Sequence, residues 1–232
     1  MSIKNNLTQI KIQLPSHVTL VAVSKTKPVE DLMEAYDSGQ RIFGENKIQE
    51  MAEKHQQMPK DIQWHMIGNV QRNKVKYMAS FVHLIHGVDS LKLLQEIDKQ
   101  AKKAGRIQDV LLQFYIAQED TKFGLDLQEA QEILDSIEFQ QLKRIQICGV
   151  MGMASNTSDE KQVAREFAEL KKIFGTLQNK YFQDAPAFKE ISMGMSGDYQ
   201  FGMGFVTVIV TLLYIVTYSM EMEERAERKR AE

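Results

Sequence analysis

The 232-residue chain carries 29 basic and 31 acidic residues, a net charge of −2, and this balance gives no electrostatic reason to expect a nucleic-acid partner. Its one cysteine, Cys148, excludes an intrachain disulfide and fits a reducing compartment. The length suits one large domain.

The opening "MSIKNNLTQIKIQLP" is amphipathic and polar and lacks the apolar core of a signal peptide, so a cytoplasmic location is expected. Short apolar runs follow: "VTLVAVS", "RIFGEN", "IQWHMIG", "HLIHGVD", "DVLLQFYIA", "IQICGVMGM" and "EISMGMS". Each reads as a buried strand. Amphipathic stretches separate most of them. Leu93, Ile97, Ala101 and Ala104 fall on one helical face, and Val163, Phe167, Leu170 and Phe174 on another. Asp126 with Glu129, and Thr157 with Glu160, have the spacing of capping boxes that open helices. Seven strand-like runs alternating with helices predict an α/β fold with parallel pairing and right-handed crossovers. An eighth unit would close a (β/α)8 TIM barrel, with an open doubly wound sheet as the alternative. No G-x-G-x-x-G follows any strand, which favours the barrel.

The composition shifts after residue 200. "FGMGFVTVIVTLLYIVTYSM", residues 201–220, contains no charge, and "EMEERAERKRAE", residues 221–232, is almost all charged. The chain therefore divides into a domain over 1–200, an apolar segment over 201–220 and a charged tail. "FVTVIVTLL" is β-branched enough for a strand. It lies so close behind Met195 that a parallel crossover is short of chain, so normal barrel closure is not expected. Three readings stand: a frame-shifted or rearranged end, a single membrane span, for which 20 uncharged residues suffice, and a replacement packing element.

In parallel α/β folds chemistry collects at the C-terminal strand ends. Lys25 follows the first run, Glu45 and Asn46 the second; His65 lies in the third, His86 and Asp89 in and after the fourth, and Ser192 to Asp198 after the seventh. A lysine at a buried strand exit is either an amine nucleophile for a carbonyl compound or a side chain snorkelling to water. Gly194, Ser196 and Gly197 in "SMGMSGD" offer small residues and backbone N–H groups of the kind that hold a phosphate. His65, beside Trp64, is either a core histidine or a site wall. His55, His83 and His86 lack metal-ligand spacing, and no Ser-His-Asp arrangement or G-x-S-x-G is present. No metal site and no catalytic residue are assigned. Met151, Met153, Met193 and Met195 read as core filler.

Seven collinear segments, "LVAVSKTKP", "GQRIFGENKIQE", "WHMIGNVQRNK", "IHGVDSLKL", "EDTKFGLD", "GVMGMA" and "SMGMSGDYQ", resemble the pyridoxal phosphate homeostasis proteins. The resemblance implies a barrel of the alanine racemase N-terminal type. It implies pyridoxal 5′-phosphate held as a Schiff base on Lys25, not Lys27, with Ser196 on the phosphate beside Gly197. Asn46 would lie beside the cofactor ring and Lys122 would assist cofactor handling; His65, by its own surroundings a core histidine or a site wall, is counted with these cofactor-binding residues. It further implies a monomeric intracellular carrier or buffer of the cofactor, with apo-enzymes as recipients; a pyridoxal-phosphate racemase or lyase is the alternative. Turnover needs a placed acid or base and a closed pocket. Racemase relatives complete theirs with a second domain for which this length leaves no room. Lys47 and Asn69 stand where many members carry tyrosine and proline. The family's eighth-strand pattern, with its arginine and phosphate-binding Gly-Ser pair, is missing after Gln200.

Overall fold

The computed structural model describes residues 2–118 and 123–194, together with the strand Val208–Leu212. Eight strands, β1 (Val18–Val23), β2 (Ile42–Glu45), β3 (Gln63–Met66), β4 (Leu84–Val88), β5 (Gln108–Phe114), β6 (Ile145–Gly152), β7 (Glu190–Ser192) and β8 (Val208–Leu212), pair in chain order as a closed barrel. Every pairing is parallel. The seven apolar runs are strands because both of their faces are covered, so each reads as an almost continuous hydrophobic stretch.

Alternate residues explain that double burial. Leu20, Ala22, Phe43, Trp64, Ile85, Val110 and Leu112 pack in the large outer core with Met51, Leu94, Ile97, Phe167, Leu170 and Leu177 of the surrounding helices. Val21, Leu84, Leu111, Cys148 and Met151 form a separate inner cluster. Burial pushes the Cys148 thiol up to about 12, with Asp109 and Glu190 adding to it, so it is not a thiolate at neutral pH. Met193 is likewise buried and Met153 packs on the inner cluster; Met195 lies outside the described residues.

The helices start where local chemistry lets them. Ser2 caps α1 (Ile3–Gln13) by accepting from the Asn5 amide, and Ile3, Leu7 and Ile10 turn the polar-looking N-terminus into a packed helix. Pro28, with φ −69°, precedes α2 (Val29–Asp37), and α3 (Ile48–Gln57) follows β2 directly. A 3₁₀ helix, Arg72–Tyr77, replaces an α-helix between β3 and β4. In α4 (Leu91–Lys103) Leu93, Ile97 and Ala101 are buried as their spacing predicts, while Ala104 is the C-cap. The Asp126–Glu129 capping box is present at α5 (Leu127–Asp135), which leads into the short α6 (Ile137–Gln140). The Thr157–Glu160 box does not form. Asp159 caps α7 (Glu160–Tyr181) by accepting from Lys161 and Gln162, and the Thr157 hydroxyl instead accepts from the Asp159 amide. A carboxylate two residues closer to the helix won the cap.

The expectation that the tail would not close the barrel normally is corrected. Val208–Leu212 pairs with Val18–Ala22 across five consecutive residues and with Ile191 and Ser192 on its other side. The reason is in the boundaries. β7 ends at Ser192 and β8 begins at Val208, so residues 193–207 connect them, a longer crossover than the ends of the apolar runs implied. Among the described residues no helix is long and apolar enough to cross a membrane, and the centre of the 201–220 segment is sheet. Residues 195–207 and 213–232 lie outside the described residues.

Candidate functional site

Lys25 leaves the barrel at the C-terminal end of β1, inside a tight turn. The Lys27 N–H donates to the Ser24 carbonyl at 3.1 Å, placing Lys25 and Thr26 at the two central positions. Thr26 has φ +62°. Lys25 is half-buried and makes no hydrogen bond or ion pair among the described residues. A snorkelling lysine reaches open water, and this one is held part-way in with no counter-charge among the described residues.

The turn is anchored from below by a buried polar cluster. Ser24 Oγ donates to Glu45 Oε1 at 2.7 Å, and the Ser24 amide to the Gly44 carbonyl at 2.9 Å. Lys54 of α3, almost wholly buried, donates to the Ser24 carbonyl at 2.6 Å, to Glu45 Oε1 at 2.7 Å and to Glu50 Oε1 at 2.8 Å. Glu50 Oε1 also accepts from the Thr26 amide at 2.6 Å. Burial lifts the Glu45 carboxyl above its ordinary range, against hydrogen bonds from Lys54 and Ser24 that pull it down. For Glu50 burial works the same way, but Lys54 and the Thr26 amide outweigh it and hold the carboxyl low. Glu50 and Lys54 stand four residues apart on α3, and nothing in their sequence surroundings sets them apart from an ordinary helical pair.

Asn46, half-buried, follows β2 beside Gly68 at the end of β3. A methyl group on Gly68 would lie 2.5 Å from the Asn46 carbonyl oxygen and 2.8 Å from its Cα, so only glycine lets the two strand exits approach this closely. Gly68→Ala is expected to cost about 1–3 kcal/mol through this overlap, read as a lowered urea midpoint.

Inside the barrel, His65 Nδ1 meets His86 Nε2 at 3.0 Å and His86 Nδ1 meets Ser192 Oγ at 2.9 Å. The chain runs from β3 through β4 across to β7. His65 Nε2 is buried without a partner among the described residues. Burial lowers both rings, His86 to about 3 and His65 well below its usual value, where the neighbouring histidines add to the effect. His65 is thus brought against His86 and Ser192, while Lys25 and Asn46 sit at neighbouring strand exits. Lys122, Ser196 and Gly197 lie outside the described residues. No group of His, Cys, Asp and Glu that would hold a metal occurs among the described residues.

Residues 1–208 match the family described as alanine racemase, N-terminal domain. The chain is 34% identical over 199 residues to the pyridoxal phosphate homeostasis protein of Aquifex aeolicus, covering 84% of this chain and 85% of the relative. It is 36% identical over 185 residues to that of Helicobacter pylori, 79% of each. The solved structure of PipY from Synechococcus elongatus with pyridoxal phosphate bound is similar at a TM-score of 0.80 and 33% identity, covering 91% of this chain and 98% of PipY. The chain belongs to the pyridoxal phosphate homeostasis family. An alanine racemase from Clostridium difficile, 16% identical at a TM-score of 0.71, shares the fold.

Against the common family pattern, the two departures at Lys47 and Asn69 are both exposed, which explains why neither disturbs the strand exits. A second anchor serves the loops after β5 and β6. Glu166 of α7, buried, accepts from the Ser155 amide at 2.6 Å and the Ser155 hydroxyl at 2.8 Å, and Ser155 Oγ accepts from the Gln118 amide at 2.9 Å. Burial opposes the Glu166 charge, yet these bonds and one from Gln162 hold it below the usual carboxylate range. In both anchors a helix carboxylate, Glu50 partly exposed and Glu166 buried, reaches back to grip a strand-exit loop.

Proposed function

We propose that this chain is a pyridoxal 5′-phosphate carrier that holds the cofactor reversibly on Lys25 and takes part in intracellular cofactor homeostasis rather than in amino-acid turnover. The observation that carries it is Lys25 itself, half-buried at the barrel mouth with no hydrogen bond or ion pair among the described residues. The names of the relatives support the homeostasis role, and PipY with its bound cofactor supports the choice of ligand.

The residues present fit the group. Lys25 would hold the group through its amine as a Schiff base, and the group would supply the electrophilic aldehyde. Lys25 brings the amine, and the Ser24–Lys27 turn sets its direction. Asn46 borders the site from the next strand exit. His65 Nε2, a buried ring nitrogen without a partner among the described residues, contributes a polar atom to the wall. Gly197, Ser196 and their backbone amides would take the phosphate, and Lys122 would assist loading and release. Release to apo-enzymes, a monomeric state and a cytoplasmic location belong to the same reading.

The test is trapping. Wild-type protein incubated with pyridoxal phosphate and reduced with borohydride is expected to carry the pyridoxyl adduct on the Lys25 peptide, and Lys25→Ala to carry none there. An adduct confined to Lys27, or an unlabelled wild type at saturating cofactor, overturns the assignment. Exchange of the α-proton of small amino acids above the rate of free cofactor would overturn the carrier role in favour of a racemase or lyase.

A further inference from the structure

We propose that Glu50, backed by Lys54, is a positioning residue that selects one of two states of the turn carrying Lys25; this rests on the reading of Lys25 as the cofactor lysine. The turn is closed by the Lys27 N–H to Ser24 carbonyl bond, and Lys25 and Thr26 are its central residues. A turn of this length has two low-energy forms related by rotation of its middle peptide group. One places the second central residue at φ near −90°, comfortable for threonine. The other demands a positive φ there, which glycine and asparagine favour and a β-branched residue avoids.

The protein adopts the second form with Thr26 at φ +62°. Such an outlier persists only where the surroundings over-determine it. The Thr26 N–H belongs to the peptide that rotates between the two forms, and that N–H ends on Glu50 Oε1 at 2.6 Å. Glu50 therefore bonds the one group whose direction distinguishes the states. Lys54 completes the hold. Its ammonium has three protons, and they go to Glu50 Oε1, to Glu45 Oε1 and to the Ser24 carbonyl. The carbonyl before Lys25 and the amide after it are thus held from one helix, α3, by charged groups one turn apart. Both peptide planes flanking Lys25 are set, and with them the direction in which its side chain leaves the strand.

Three variants test the proposal: Glu50→Ala, Thr26→Gly and the two combined. Glu50 is a partly exposed helix residue, and alanine suits a helix, so the single variant folds. Without cofactor, exchange of the Thr26 amide is expected to accelerate about tenfold or more in Glu50→Ala, as follows from losing one charge-assisted hydrogen bond. With cofactor, the concentration that half-loads Lys25 in the borohydride assay is expected to rise by about the same factor. The visible circular dichroism of the bound cofactor, which reports a single fixed orientation, is expected to shrink. Thr26→Gly in the Glu50→Ala background supplies a residue at ease with positive φ, so it is expected to restore most of the loading and the dichroism. Unchanged Thr26 exchange in Glu50→Ala overturns the proposal whatever the cofactor does. Wild-type loading and dichroism in Glu50→Ala also overturn it, as does a folded double variant that recovers nothing. If the wild type is never trapped on Lys25, it is the cofactor reading that fails, while the amide exchange still decides whether Glu50 sets the turn.

Discussion

Between pH 7 and pH 5 the protein is expected to lose about 4 kcal/mol more folding stability than a variant carrying His65→Gln and His86→Gln. Both rings are buried in the barrel interior, and burial holds them uncharged, His86 with a pKa of about 3 and His65 well below its usual value. Geometry adds to burial. With His65 Nδ1 and His86 Nε2 at 3.0 Å, one ring must donate and the other accept, whereas two protonated rings would set donor against donor. In the unfolded chain each histidine takes a proton near pH 6.5. The sign follows. The folded-state values are depressed, so the stability is present in full above about pH 6.5 and is lost as pH falls from there towards the folded values. Each ring that stays neutral gives a slope of about 1.4 kcal/mol per pH unit. Glu45 and Glu190, both raised by burial, act in the opposite direction, which is why the difference from the double variant is the quantity to measure. Denaturant titrations at pH 7, 6 and 5 give it, and parallel slopes for the two proteins would show that the rings are charged or solvated.

The strands were legible because parallel barrel strands are buried on both faces, and seven of them appear as apolar runs. The ends of those runs were less informative. Hydropathy continues past Ser192 into Met193, which is buried but no longer in the sheet, and the apolar tail begins before Val208, where pairing starts. The crossover between β7 and β8 therefore looked too short. The site was legible only in part. Lys25 stood out because a charge at a buried strand exit is costly and needs a reason. The His65–His86–Ser192 chain was not legible: Ser192 lies 106 residues from His86, and only barrel closure brings β7 opposite β4. Glu50 and Lys54 have the spacing of an ordinary surface pair on a helix. What changes their meaning is Glu45 facing α3 from the end of β2, a direction that depends on strand register rather than on composition.

Lys54→Met is expected to destabilise the protein by about 3–5 kcal/mol at pH 7, the range for removing one partner of a buried ion pair. The side chain is 7% exposed and Glu45 is 0% exposed, so the interaction is not one that solvent screens away. Methionine fills much of the same volume but, among the described residues, leaves Glu45 Oε1 with only the Ser24 hydroxyl, while Glu45 Oε2 already has no partner. Burial is the leading force on Glu45 and Lys54 the leading counterweight. Without the ammonium, the Glu45 carboxyl rises further and the folded state takes up a proton that the unfolded state, with an ordinary glutamate near 4.3, does not. A raised folded-state value gives stability that is present at low pH and lost as pH rises through it. The deficit of Lys54→Met relative to wild type is therefore expected to shrink from pH 7 to pH 5, where the histidines drive both proteins downwards alike. Adding Glu45→Met to Lys54→Met removes the stranded carboxylate and is expected to recover most of the loss, because a buried pair replaced by apolar groups of similar volume is close to neutral. Denaturation of the three proteins at both pH values decides it. A deficit that is constant with pH, or one that the second substitution deepens, would mean that Lys54 contributes through its aliphatic stem and not through its charge.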